Sequence, residues 1–172
     1  MTNERQQWEL TLDARQSSLG QVADFIENVV DELNLEPDAA FAVQLATDEA
    51  CQNAVEHACK FDSNQKVTLV CESDGADLVV TVRERGEPFD PTQEAKPKLG
   101  AALAKRNGGG LGIHFMRKMM DEVRHERHDD GTNSVTMIKR GVVSAADARD
   151  PAATEDTPPE QNCLEHPGCE VA

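Results

Sequence analysis

The sequence predicts a mixed α/β domain, and three observations carry that prediction. Residues 8–12 alternate apolar and polar side chains as a half-buried strand does. Residues 22–33 repeat apolar side chains every three or four positions, the period of an amphipathic helix. Residues 67–70 and 78–82 are two runs rich in valine around Ser73-Asp-Gly-Ala76, for which a hairpin is the economical form. A chain of 172 residues suffices for one compact domain with a tail, and two full domains would be crowded.

In chain order, Ser18 and Gln21 have the spacing of a capping box at the start of the first helix, which Val22, Phe25, Ile26, Val29, Val30 and Leu33 then define. Residues 34–37 connect it to the next helix, with Pro37 suited to the first turn. That second helix carries Phe41 and Leu45 and continues through residues 46–58. There Glu49, Asn53 and His57 recur every four residues and share one face. Ala46, Ala50, Ala54 and Ala58 have the same spacing and let the helix lie close against a neighbouring surface. A carboxylate one turn before a carboxamide suits a metal-bound anionic ligand, because asparagine offers a neutral oxygen to a hard cation and glutamate accepts a proton. The simpler alternative is a solvated helix face.

Residues 61–65 form a polar turn before the hairpin. Its second strand runs into Arg83-Glu-Arg-Gly-Glu-Pro-Phe-Asp-Pro91, where Gly86 and two prolines end regular structure. The segment from there to Gly110, rich in Lys, Pro, Ala and Gly, predicts a mobile lid. A glycine cluster then opens a helix that the spacing of Leu111, Phe115, Met116, Met119 and Val123 carries to residue 123. Backbone N–H groups at such a start form an anion site, with a flexible hinge as the alternative. Residues 124–127 and 135–138 read as strands on either side of an Asp129-Asp-Gly131 turn, with His125 and His128 at the surface. From residue 144 the composition becomes small, acidic and proline-containing. The expected organisation is a domain at 1–143 and a disordered tail at 144–172. Cys163, His166 and Cys169 lie in that tail and lack a fourth metal ligand.

The formal net charge of −15 and a pI near 4.6 argue against nucleic acid or an anionic membrane as the main partner. No apolar run approaches membrane-spanning length, and the N-terminus has no basic start followed by an apolar stretch, so a soluble, cytoplasmic protein is expected. Five cysteines without framework spacing predict free thiols.

Three motifs in order, DEACQNAVEH from Asp48 to His57, ERGEPFDP from Glu84 to Pro91, and GGGLG from Gly108 to Gly112, resemble those of the GHKL ATPase superfamily. Within it the chain looks like the small RsbW-like anti-sigma-factor serine kinases, over nearly all of residues 7 to 140. The resemblance implies a two-layer α/β sandwich, helices covering one face of a mixed, mostly antiparallel sheet, with ATP between helices and lid. It implies Mg²⁺ held by Asn53 and a general base at Glu49. Glu84 and Gly86 would meet the adenine, and Gly108, Gly110, Leu111 and Gly112 the phosphates. Arg106, with Lys105, could reach phosphate from the lid or simply be solvated there. The expected activity is transfer of phosphate to a serine of a STAS-type anti-anti-sigma antagonist, with a sigma factor as second partner and a homodimer as the assembly.

One position departs from the family pattern: Glu84 stands where an aspartate is usual, one methylene further from the backbone. Either the site adjusts and base recognition survives, or base preference shifts, or affinity falls. Glu84 could also be a strand-end charge paired with Arg83 or Arg85. A competing reading of the whole is a non-catalytic, nucleotide-responsive binding module. An ATPase domain of a larger sensor kinase is a third, less favoured because no dimerisation helices or phospho-accepting histidine domain are seen.

Overall fold

The computed structural model describes residues 5–88 and 111–143. The predicted lid and tail therefore lie outside the described residues. The elements are β1 (Gln7–Asp13), α1 (Gly20–Glu32), α2 (Pro37–Asn53), β2 (Lys66–Asp74), β3 (Asp77–Glu84), α3 (Leu111–Met119), β4 (Glu122–Arg127) and β5 (Asn133–Lys139). The five strands form one sheet in the order β1-β2-β3-β5-β4, and each described pairing is antiparallel. Helices pack on one face, and the core lies between the layers, with Val22, Ile26 and Val29 of α1 and Val43 of α2 opposite Leu69, Val80 and Met137 of the sheet. The other face is largely polar, with Thr11 and Thr68 hydroxyls 3.1 Å apart and those of Thr81 and Thr136 at 3.3 Å. A sheet buried on one side explains the alternation legible in its strands.

The capping box does not form. A 3₁₀ turn at Gln16–Ser18 leads straight into α1, and Leu19 is already helical, so Ser18 has no extended cap geometry from which to reach the helix amides. The Val22 N–H instead donates to the Leu19 carbonyl at 3.1 Å. Pro37 opens α2 as expected. The hairpin strands are longer than their apolar runs and pair down to Asp74 opposite Asp77, so Gly75, at φ 65°, and Ala76 make the whole turn.

α3 stops at Met119, short of the predicted residue 123. Lys139 Nζ donates to the Met119 carbonyl at 2.7 Å, and the Asp121 N–H is taken by the Ile138 carbonyl at 2.9 Å, so sheet pairing replaces the next helical turn. Val123 consequently belongs to β4. Ile113, Met116 and Met120 are the buried residues of this segment, while Phe115 and Met119 are only partly covered.

The helix of the DEACQNAVEH motif is α-helical only to Asn53. Ala54–Ala58 form a π-turn, in which the Cys59 N–H donates to the Ala54 carbonyl at 2.9 Å, five residues back. The α-helical register assumed for His57 thus ends one turn early, though His57 remains half-buried on this segment. Ala46, Ala50, Ala54 and Ala58 are all buried. The chain leaving β3 lies directly on the π-turn: the Glu87 N–H donates to the Ala58 carbonyl at 2.9 Å, and a Cβ on Gly86 would overlap that carbonyl and stand 2.9 Å from the Cys59 nitrogen. Gly86→Ala should therefore destabilise the fold by about 1–3 kcal/mol, the cost of overpacking against backbone that cannot move aside. Thermal denaturation would show a Tm several degrees lower, whereas Gly20→Ala, where a Cβ meets nothing within 4 Å, should leave it unchanged or higher.

Candidate functional site

A narrow cleft, with about 20 Å³ of free space, lies between α2 with its π-turn, α3 and the ends of β3 and β5. Ala50, Ala54 and Ala58 line the helix side, and Val82, Val135 and Met116 add apolar surface. The polar groups of the cleft are Asn53, Glu84 and Asn133. An apolar slot with a few converging polar groups is the form a small-molecule site takes.

Asn53 is 6% exposed, and its Nδ2 has no hydrogen-bond partner among the described residues. Such an unpaired buried amide atom is costly in a fold without ligand, and rotation about the last side-chain bond presents either the oxygen or the nitrogen to a ligand. Among the described residues no group of three or more His, Cys, Asp or Glu could hold a metal. A cation at Asn53 would thus take most of its ligands from phosphate oxygens and water, as Mg²⁺ commonly does. The donor set fits that ion in company with a phosphate ligand, and does not fit a metal held by protein alone.

Glu49 lies one turn before Asn53 on α2, half-buried and not among the residues lining the cleft. Burial pushes its carboxyl above the usual range, the negative charges of Glu56 and Asp48 add to this, and His57 opposes it. A base tuned upward in this way accepts a proton more readily near neutral pH.

Glu84 ends β3, and at 7% exposure it sits inside the cleft wall. It pairs with neither neighbouring arginine. Arg85 is bound to Asp130 at 2.9 Å, and Arg83 projects from the strand at an exposed position. The Gly86 N–H donates to Glu84 Oε2, and Asn133 is the register partner of Glu84 on β5. Burial raises the Glu84 pKa, while the Gly86 N–H, the polar Asn133 side chain and the positive charges of Arg127 and His125 pull it back.

Asn133 and Arg127 are the polar residues that sequence reasoning missed. The signal was present: strand alternation traced back from Met137 and Val135 puts Asn133 on the buried face, where a polar residue demands a partner. Gly86 does not line the cleft itself but the adjoining groove with Ala58, Cys59, Lys60 and Glu87. Leu111 and Gly112 begin α3, as the predicted helix start requires. Arg106, Gly108 and Gly110 lie outside the described residues. Cys51, Cys59 and Cys71 are free thiols, and burial pushes Cys59 up to about 11 and Cys71 up to about 12. Such thiols are inert packing groups at neutral pH.

Comparison with known proteins places this geometry. The family model for the histidine kinase-like ATPase domain matches residues 12–139. The serine-protein kinase RsbW of Bacillus subtilis (strain 168) is 30% identical over 146 residues, spanning 82% of this chain and 91% of that protein. The anti-sigma F factor of Anoxybacillus flavithermus (strain DSM 21510 / WK1) is 26% identical over 110 residues, 63% of this chain and 75% of that one. Among solved structures, the crystal structure of the SiaB-SiaC complex from Pseudomonas aeruginosa matches with a TM-score of 0.59 at 16% identity, covering 76% of this chain and 88% of that one, a likeness of fold.

The raised Glu49 pKa has a consequence for stability. Below the ordinary carboxylate pKa, both folded and unfolded chains hold the proton and burial costs nothing. As pH rises through the raised folded value the ionised carboxylate is fully penalised, so the cost is present at neutral pH and absent in acid. Glu49→Gln should therefore raise Tm at about pH 7–8 and leave it unchanged near pH 3.5, in thermal melts across that range.

Proposed function

The chain belongs to the histidine kinase-like ATPase domain family, in the group of the RsbW serine-protein kinases, and from that premise we propose that it transfers the γ-phosphoryl group of ATP to a serine of a STAS-type antagonist protein. Nucleotide use follows from the family. The observation that carries the finer reading is the pairing, one turn apart on α2, of an uptuned carboxylate at Glu49 with Asn53 in the cleft, whose Nδ2 has no partner among the described residues.

In this reading the purine enters the slot between the alanine wall and the sheet, with Glu84 at its far end. Asn53 would hold Mg²⁺, which would supply neutralisation of phosphate charge. Glu49 takes the proton from the serine hydroxyl as its oxygen bonds to phosphorus and the bond to ADP breaks. Arg106, Gly108, Gly110, Leu111 and Gly112 complete the phosphate side, through helix-start amides and one guanidinium. When its antagonist is phosphorylated the protein sequesters a sigma factor, acting as a homodimer in the cytoplasm. Among the described residues no helix is long and apolar enough to cross a membrane. The acidic segment 144–172 is a tail outside the kinase domain.

Calorimetric titration of Mg-ATP should give saturable binding, and Asn53→Ala should weaken it roughly five- to hundredfold. Glu49→Ala should keep nucleotide affinity but lower phosphate transfer to the antagonist by about 10²–10⁴-fold, followed with γ-labelled ATP. Transfer unaffected by Glu49→Ala would overturn its role. Nucleotide binding that changes partner affinity with no transfer would make the protein a nucleotide-responsive binding module instead.

A further inference from the structure

Charge is sorted between the two layers of the domain. Residues 16–59, the stretch that supplies α1, α2 and the π-turn, hold nine aspartates and glutamates and no lysine or arginine. On the sheet, Asp13 and Glu122 each have two cations beside them. On the helices, Asp24, Glu27, Asp31, Asp38 and Asp48 form no ion pair among the described residues, since their own elements carry no base to pair with. Asp24, Glu27 and Asp31 recur at three and four along α1, and all are exposed.

α2 turns Val43, Ala46, Thr47 and Ala50 into the core. Its opposite face is therefore the row Asp38, Phe41, Leu45, Asp48 and Gln52, again at three-four spacing. Phe41 is 59% exposed and Leu45 half-buried, so an apolar pair sits in the middle of the row with an aspartate one turn beyond each end. A phenylalanine that faces away from the core adds nothing to it, and the solvent side of an amphipathic helix ordinarily carries a polar residue there.

We propose that this outer face of the helical layer docks a protein partner through a cationic amphipathic helix. The apolar side of that helix covers Phe41 and Leu45, and its lysines and arginines meet Asp38, Asp48 and the acidic row of α1. Charge selects this occupant. A second copy laid face to face would set like charges opposite one another, and residues 144–172, with seven acidic residues and one arginine, are repelled in the same way. A cationic helix is attracted instead, and helix recognition needs apolar anchors at the spacing that Phe41 and Leu45 already have. None of the five residues of the row lines the nucleotide cleft, so this inference stands apart from the nucleotide reading.

The test is titration of the full chain with a labelled synthetic peptide of about four helical turns, leucines at three-four spacing on one side and lysines elsewhere, followed by fluorescence anisotropy. The parent should bind it, about fivefold or more weakly on going from about 0.1 M to about 1 M salt, and should not bind the same peptide with glutamates in place of lysines. Phe41→Ser should weaken binding by about tenfold or more, and Asp38→Asn together with Asp48→Asn by about threefold or more. Phe61→Ser, at the other exposed phenylalanine, should leave affinity unchanged. A parent that does not bind the lysine peptide, or binds it equally after Phe41→Ser, would overturn the proposal. Binding that appears only once Lys96, Lys98 and Lys105 are replaced by glutamine would overturn it in favour of the chain's own residues 89–110. A dimer that Phe41→Ser dissolves in sedimentation would overturn it in favour of a second copy.

Discussion

The Ala58 carbonyl accepts the Glu87 N–H at 2.9 Å, across a gap that only a glycine at 86 leaves open. This contact ties the end of β3 to the π-turn that closes α2, and the cleft forms beside it. Its width follows from the alanine row: side chains longer than a methyl at 50, 54 and 58 would fill the slot between helix and sheet, because packed interiors leave few voids larger than water. The same approach brings Asn53 and Glu84, far apart in sequence, to one cavity. The π-turn has its use in this geometry too. By widening the helix after Asn53 it offers the Ala58 carbonyl to Glu87 rather than to a helical partner four residues on.

A protein of net charge −15 is an odd host for a polyanion until distance is considered. An extended nucleic-acid backbone feels the whole surface, whereas compact phosphates feel mainly the groups within a Debye length, about 8 Å at physiological salt. Some of the acidic surface is also locally balanced: Asp13 sits between Arg15 and Lys66, and Glu122 between Arg124 and Arg140. Such exposed pairs contribute only about 0–1 kcal/mol each to stability, but they flatten the field near the sheet edges. The average charge thus argues against an extended polyanion as the main partner more strongly than against a compact one.

The parts of this architecture legible in the sequence were those written as period. Alternation gave the strands, three-four spacing gave α1, and small residues every fourth position gave the buried wall of α2. What escaped was set by tertiary partners. α3 ends where Lys139 and Ile138 compete for its backbone, so the apolar spacing that continued to Val123 was the start of a strand in helical disguise. The Ser18 cap failed because a 3₁₀ turn already occupied its place. In the cleft, Asn53 and Glu84 were legible through their motifs. Alternation placed Asn133 on the buried face of its strand, but its place between Glu84 and Arg127 lies in cross-strand register, which a single strand does not encode.

The polar groups that make the cleft useful also weaken the fold that holds them. A buried Asn53 Nδ2 without a partner among the described residues costs on the order of 1–3 kcal/mol, a sizeable share of the roughly 5–15 kcal/mol that separates folded from unfolded domains. The cost of burying Glu84 is eased by the Gly86 N–H and by the positive charges of Arg127 and His125. The two polar ends of the cleft are therefore unlike. The Glu84 carboxylate already accepts the Gly86 N–H, whereas Asn53 Nδ2 has no partner among the described residues. A ligand that paired Nδ2 would recover an interaction the fold leaves unmade, and stability and occupancy would then be linked by mass action.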